Sequence, residues 1–117
     1  MSVPEISVQI KNMPGQLVQI SAVLAEADIN VRAIAASSSG KTGWVRLVVD
    51  NCKLAEEALD DCGYDVEVGE ALAVRLYNEP GALDNVLRLL ADEKINVDYI
   101  YSFGMIEHDH QTFIIGV

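Results

Sequence analysis

A chain of 117 residues, half of them hydrophobic, can build one ordinary domain or two very small ones. Its net charge of −10 argues against nucleic acid and disfavours an anionic membrane, since both need clustered Lys and Arg. No apolar run approaches the roughly 18 residues of a spanning helix. The start, Met1-Ser2-Val3-Pro4-Glu5, has no basic and then apolar leader.

In chain order, Ile6-Ser7-Val8-Gln9-Ile10 alternates with the period of a half-buried strand. The turn Asn12-Met13-Pro14-Gly15 follows. Leu17, Ile20, Leu24 and Ala27 then fall on one face of a helix, with Pro14 where the first helical turn begins. Residues Asn30 to Ala36 and Trp44 to Val49 read as strands, with Trp44 expected in the core or at an interface. Leu54, Ala55, Ala58, Leu59 and Cys62 have helical spacing, and Gly63 suits the position just past a helix end. The acidic residues Glu56, Glu57, Asp60 and Asp61 fall on its solvated side. A short strand, Tyr64 to Val68, closes this half, and Gly69 marks the passage onward.

The same order then restarts. Leu72-Ala73-Val74-Arg75-Leu76 alternates, Asn78-Glu79-Pro80-Gly81 turns, and Leu83, Val86, Leu87 and Leu90 fit i, i+3, i+4, i+7. Asn96 to Phe103 and Gln111 to Ile115 read as strands. Shifting the sequence by 66 positions matches Asn12, Pro14, Gly15, Leu17, Leu24, Ala25, Ile29, Asn30, Val31 and Ile34 to identical residues. That is ten of the 25 positions from 12 to 36, a clear internal duplication.

The order β-α-β-β-α-β predicts an α+β fold: two tandem ferredoxin-like units, 1–69 and 70–117, with antiparallel sheets and helices on one face. Right-handed crossovers place the first and third strands of a unit in the middle. The second unit lacks its last helix and strand, which would expose apolar surface and a strand edge. A longer natural chain is the expected remedy, cover from another chain the alternative.

The turn Asn-x-Pro-Gly-x-Leu, present twice, carries the main functional signal. Gly15 and Gly81 permit a sharp bend and close approach of a ligand. A loop that opens a helix presents N–H groups to a carboxylate, and Asn12 and Asn78 can both donate and accept. The same residues also suit a plain tight turn and cap.

With Ile-Asn-Val opening a strand after the helix, this pattern resembles the signature of ACT domains over essentially the whole chain, twice. The run Tyr99-Ile100-Tyr101-Ser102-Phe103 is similar to that of small stand-alone proteins of two ACT domains. The resemblance implies a regulatory or sensor protein that binds an amino acid between paired domains, as a homodimer and with a possible regulated enzyme as partner. It implies ligand-binding roles for Asn12, Met13, Pro14, Gly15 and Leu17 with Asn30 and Val31. In the second copy it implies Asn78, Glu79, Pro80, Gly81 and Leu83 with Asn96 and Val97. Serine-sensing members carry a His two residues before the loop Asn. Here Ile10 and Leu76 stand there, which favours a more apolar amino acid, branched-chain or aromatic.

The alternatives are an interaction or regulatory subunit without a ligand, resembling the small subunit of acetolactate synthase, and a small enzyme on the same fold. Catalysis finds no support in the residues. Ser37, Ser38 and Ser39 have no neighbouring His or Lys to activate them. Gly40-Lys41-Thr42 lacks the earlier glycine of a phosphate loop, Ala35 standing there, and precedes a strand. Glu107-His108-Asp109-His110 falls at a hairpin turn with too few ligands for a metal. No cofactor is expected. Cys52 and Cys62 make no disulfide framework and read as buried or half-buried thiols of a cytoplasmic protein.

Overall fold

The computed structural model describes residues 1–117, the side chain of Met105 excepted. The chain divides into two compact units, Pro4–Gly69 and Met1–Val3 with Glu70–Val117.

In the first unit the elements run β1 (Ser2–Lys11), α1 (Gln16–Glu26), β2 (Val31–Ser39), β3 (Thr42–Val49), α2 (Cys52–Asp61) and the start of β4 (Asp65–Tyr77). The strand order is β2-β3-β1-β4, so the first and third strands are central. β1 and β3 are antiparallel, with Ile6 opposite Leu47 and Val8 opposite Val45. Alternation puts these four on one face of the sheet. There they meet Ile20 and Leu24 of α1 and Ala55 and Leu59 of α2 in one buried cluster. The acidic residues of α2 stay exposed, because their positions fall on the opposite side of that helix.

Helix ends are closed by one device used three times. The Ile29 N–H donates to the Leu24 carbonyl and the Asp28 N–H to the Ala25 carbonyl. This is the Schellman pattern, with Asp28 in the left-handed region at φ 58°. It carries Ile29 back onto Leu24, and both are buried. Lys94, at φ 59°, repeats the arrangement after the helix of the second unit, and Gly63, at φ 86°, after α2.

The second unit contains the rest of β4, then α3 (Ala82–Asp92), β5 (Tyr99–Glu107) and β6 (His110–Gly116), in the sheet order β4-β6-β5. The Ala73 N–H donates to the Met1 carbonyl at 2.8 Å. Met1–Val3 therefore takes the place, on the free side of β4, that a final strand after β6 would fill. This unit has one helix among the described residues. No residue of α3 is buried, and Leu83, Val86, Leu87 and Leu90 are only half-buried. With one helix instead of two over the sheet, Leu72, Val74, Leu76 and Phe113 stay half-exposed as well.

Four local expectations are corrected. Residues 64–68 and 72–76 are not separate strands: β4 runs unbroken through Gly69, which has no positive φ and needs none to remain extended. The second strand of the second copy begins at Tyr99, not Asn96, whose side chain is held in a local turn by Asp98. Trp44 is not core. It alternates with Val45 and so points away from the helices, 39% exposed. Cys62 is exposed rather than buried, because it caps α2 beyond the last core contact, Leu59. Ten residues of helical rise, about 15 Å, separate it from Cys52, too far for a disulfide.

Since a non-glycine residue in the left-handed region costs roughly 1 kcal/mol, Asp28→Gly and Lys94→Gly should each stabilise the chain by about 0.5–1 kcal/mol in urea unfolding. Gly63→Ala should destabilise it by a similar amount. No change in midpoint for any of the three would contradict the helix-end geometry.

Candidate functional site

The loop between β1 and α1 is built by its own backbone. The Met13 N–H donates to the Lys11 carbonyl and the Gln16 N–H to the Met13 carbonyl. Gly15, at φ 87°, is the N-cap of α1, and no side chain caps that helix. Its first-turn N–H groups therefore face the loop with no protein anion near them, which favours a carboxylate there.

Asn12 ties this loop to the β2–β3 turn. Its backbone N–H donates to the Lys41 carbonyl, and its Nδ2 to the Gly40 carbonyl, both at 2.9 Å. The amide thus serves first as a brace between two loops 28 residues apart. Between them lies an open cleft of about 360 Å³. It brings together Asn12, Met13, Pro14, Gly15 and Leu17 with Ile10, Lys11 and Gln16, and with Ala36, Ser37 and Ser38 of β2. Ile10, Leu17 and Ala36 supply apolar wall, and Ser38, on the same face of β2 as Ala36, supplies a hydroxyl, whereas Ser37 is paired with Trp44 on the other face. No His, Cys, Asp or Glu lines it, so Lys11 is the sole titratable group there.

Asn30 and Val31 are not in this cleft. Asn30 is exposed and precedes β2, where its backbone N–H donates to Asp50 Oδ1 and its carbonyl accepts from the Asp50 N–H, both at 3.1 Å. Six residues of strand, about 20 Å, separate it from Ala36. Val31 instead lines an apolar groove along α1.

The second copy repeats the backbone but not the brace. Gly81, at φ 90°, caps α3, the Ala82 N–H donates to the Glu79 carbonyl, and the Asn78 N–H reaches the Asp109 carbonyl at 2.6 Å. No side-chain bond ties Asn78 among the described residues. Asn78, Glu79, Pro80 and Gly81 are exposed and Leu83 is half-buried; Asn96 is exposed, with its Nδ2 on Asp98 Oδ1 at 3.0 Å, and Val97 is half-buried.

His108 and Asp109 form the β5–β6 turn, both in the left-handed region. His110 stacks against Tyr77 at 4.3 Å and reaches the His108 carbonyl. No metal-binding cluster occurs among the described residues, and no described helix is long and apolar enough to cross a membrane. Residues whose part sequence reasoning missed are Ala36, Ser37 and Ser38 as cleft lining, and Gly40 as partner of Asn12. Pairing of β2 with β3 brings them to the loop, and only the strand register reveals that.

A family profile described as an ACT domain pair matches residues 1–115. The chain belongs to the ACT domain pair family. Among solved structures, a protein from Bacteroides thetaiotaomicron is similar at 28% identity, with a TM-score of 0.90 over 99% of this chain and 79% of that one. The ligand-free regulatory subunit of aspartate kinase from Thermus thermophilus is similar in fold, at 21% identity and a TM-score of 0.69 over 96% of this chain and 81% of that one. Its counterpart from Thermus flavus gives 18% and 0.64, over 96% and 80%. No curated protein sequence matches the chain.

Asn12→Ala should cost about 1 kcal/mol through loss of the Gly40 bond, whereas Asn78→Ala should change stability by less than about 0.5 kcal/mol. Equal effects in thermal unfolding would mean that the two asparagines do not differ as described.

Proposed function

We propose that the protein is a regulatory amino-acid sensor that binds its ligand in the cleft beside the Asn12 loop. The observation that carries this reading is the cleft itself. A helix N-terminus without a capping side chain, the Ser38 hydroxyl and an apolar wall surround one space of about 360 Å³, the size of a small ligand site. The carboxylate lies toward α1 and the side chain toward Ile10, Leu17 and Ala36. Ile10 and Leu17 favour a branched-chain or aromatic amino acid over serine.

Binding without catalysis fits the lining, which offers no activated nucleophile and no acid–base pair. Regulation then works by linkage: a ligand with different affinities for two arrangements shifts the balance between them. Asn30, about 20 Å away along β2, acts on a ligand held by a neighbouring domain, and the assembly that supplies that domain is a homodimer. Aspartate kinase regulatory subunits share the fold, which makes an enzyme of amino-acid synthesis a reasonable partner class. The reading places the protein in the cytoplasm.

One observation favours a second reading. Asn12 spends its amide on Gly40 and so serves the turn. A ligand-free regulatory or interaction subunit of an amino-acid biosynthetic enzyme, such as acetolactate synthase, would need no more than that.

Thermal-shift screening against the twenty amino acids distinguishes them. Saturation about 100-fold above Kd adds roughly 2.7 kcal/mol, and Asn12→Ala and Asn30→Ala should abolish the shift. Absence of a shift with every amino acid would favour the ligand-free subunit. A shift that both variants retain would remove the site assignment.

A further inference from the structure

One glycine of the first unit stands where the backbone does not ask for it. Gly43 lies inside β3, and its φ is not positive. Glycine in a strand interior weakens the strand, and it marks places where another group must come close. Room is what this position provides. A Cβ added at Gly43 would stand 2.9 Å from the Ser37 carbonyl oxygen, and 3.3 Å from both Ile10 Cγ1 and Ser38 Cβ. Real Cβ atoms essentially never come within 3.0 Å of a backbone atom, so β2 itself would have to move.

All three of these neighbours line the cleft beside the Asn12 loop. Strand register explains why. Gly43 is opposite Ile10 on β1 and opposite Ser38 on β2, so the three lie side by side on the face that carries the helices. Val8, Val45 and Ala36 form the next row toward the core. The bare backbone of Gly43 lets Ile10 and Ser38 lie low against the sheet, which keeps the space above them free.

The second copy does not keep this arrangement. Leu76, the counterpart of Ile10, is opposite Gln111 on β6. Eight residues (37–44) separate the paired Ala36 and Val45, whereas ten (103–112) separate the paired Ser102 and Phe113. The longer hairpin has its register shift between Phe103 and Glu107. Where the first unit sets Gly43 beside Ser38, the second sets the full side chain of Gln111 beside that irregularity.

We infer that Gly43 is a positioning residue that fixes the specificity of the cleft, and that each chain holds one ligand, in the first unit. This rests on the amino-acid reading of the cleft. With the ligand side chain lying toward Ile10, Leu17 and Ala36, anything that lifts Ile10 shortens the room for that side chain. The size of the ligand is then set from beneath, by a residue that need not touch it. The Asn78 loop, with Gln111 in place of a glycine, holds no ligand.

Isothermal titration of the full chain with L-phenylalanine and with L-valine tests both parts. The wild type is expected to bind one equivalent of either. Gly43→Ala should weaken phenylalanine at least about tenfold more than valine, because one methyl group in a wall discriminates on that scale. Adding Ile10→Ala to Gly43→Ala removes the atom the new Cβ meets and should restore the preference. A variant that is merely loosened would lose both ligands alike, and circular dichroism reports whether it is folded. Gln111→Ala should alter neither affinity nor stoichiometry. Two equivalents per wild-type chain, or an unchanged ratio of affinities in folded Gly43→Ala, would overturn the inference and leave the ligand reading standing. Should Gly43→Ala fail to fold, the count per wild-type chain decides: one upholds the inference and two overturns it. A wild type that binds neither amino acid would remove the ligand reading and the inference together.

Discussion

A sheet of four short strands has one face to bury, and in a unit of this size almost everything depends on covering it. Ile6 and Val8 on β1 with Val45, Leu47 and Val49 on β3 present that face. α1 and α2 close it with Ile20, Leu24, Ala55 and Leu59, all essentially inaccessible to water. Burial of each such side chain is worth about 1.5–3 kcal/mol, against the ordering entropy that a small domain can barely offset. The helix ends serve the same purpose. By bending the backbone at Asp28, the chain returns Ile29 to Leu24 just before β2 begins. In the second unit the cover is a single helix, and its aliphatic residues remain partly wet as a direct result.

Much of this was legible in the residues because it is local. Alternation at 6–10 and i, i+3, i+4 spacing at 83–90 depend on neighbours a few positions away, and Gly63 marked a helix end for reasons of its own backbone. What escaped was set by partners far along the chain. Nothing near Gly69 says that β4 continues through it. Nothing near Met1 says that its carbonyl meets Ala73. Trp44 reads as core or interface because it is large and apolar, but register with Gln9 and Ser37 decides its face, and hydrophobicity does not. The candidate site divides in the same way. The Asn-x-Pro-Gly-x-Leu turn was visible as a motif, whereas the wall made by Ala36, Ser37 and Ser38 and the bond from Asn12 to Gly40 arise only once β2 and β3 pair.

The two copies show how one backbone can be put to different uses. Both loops set a glycine at φ near 90° before a helix. Both asparagines bond the adjacent hairpin through the backbone N–H, and among the described residues the first alone adds its side chain. That difference follows from the hairpins: Gly40 and Lys41 turn in one, His108 and Asp109 in the other. Equivalent positions along the helices diverge as well, Val18 and Ala22 standing where the later copy has Asp84 and Arg88. Duplication preserved the frame while side chains were free to specialise.

The bond from Ala73 to Met1 also bears on how the chain acquires its structure. The β1–β3 and β2–β3 pairings of the unit Pro4–Gly69 join residues within that span, so this part can organise on its own segment. The other unit draws on both the opening residues and everything after Glu70. Loop closure over some seventy residues is entropically slower than the hairpins at 40–41 and 108–109. On a ribosome, Met1–Val3 is made some seventy residues before Ala73 and so finds its hydrogen-bonding neighbour late. Through that interval these residues stay an unpaired strand end, open to pairing with other chains.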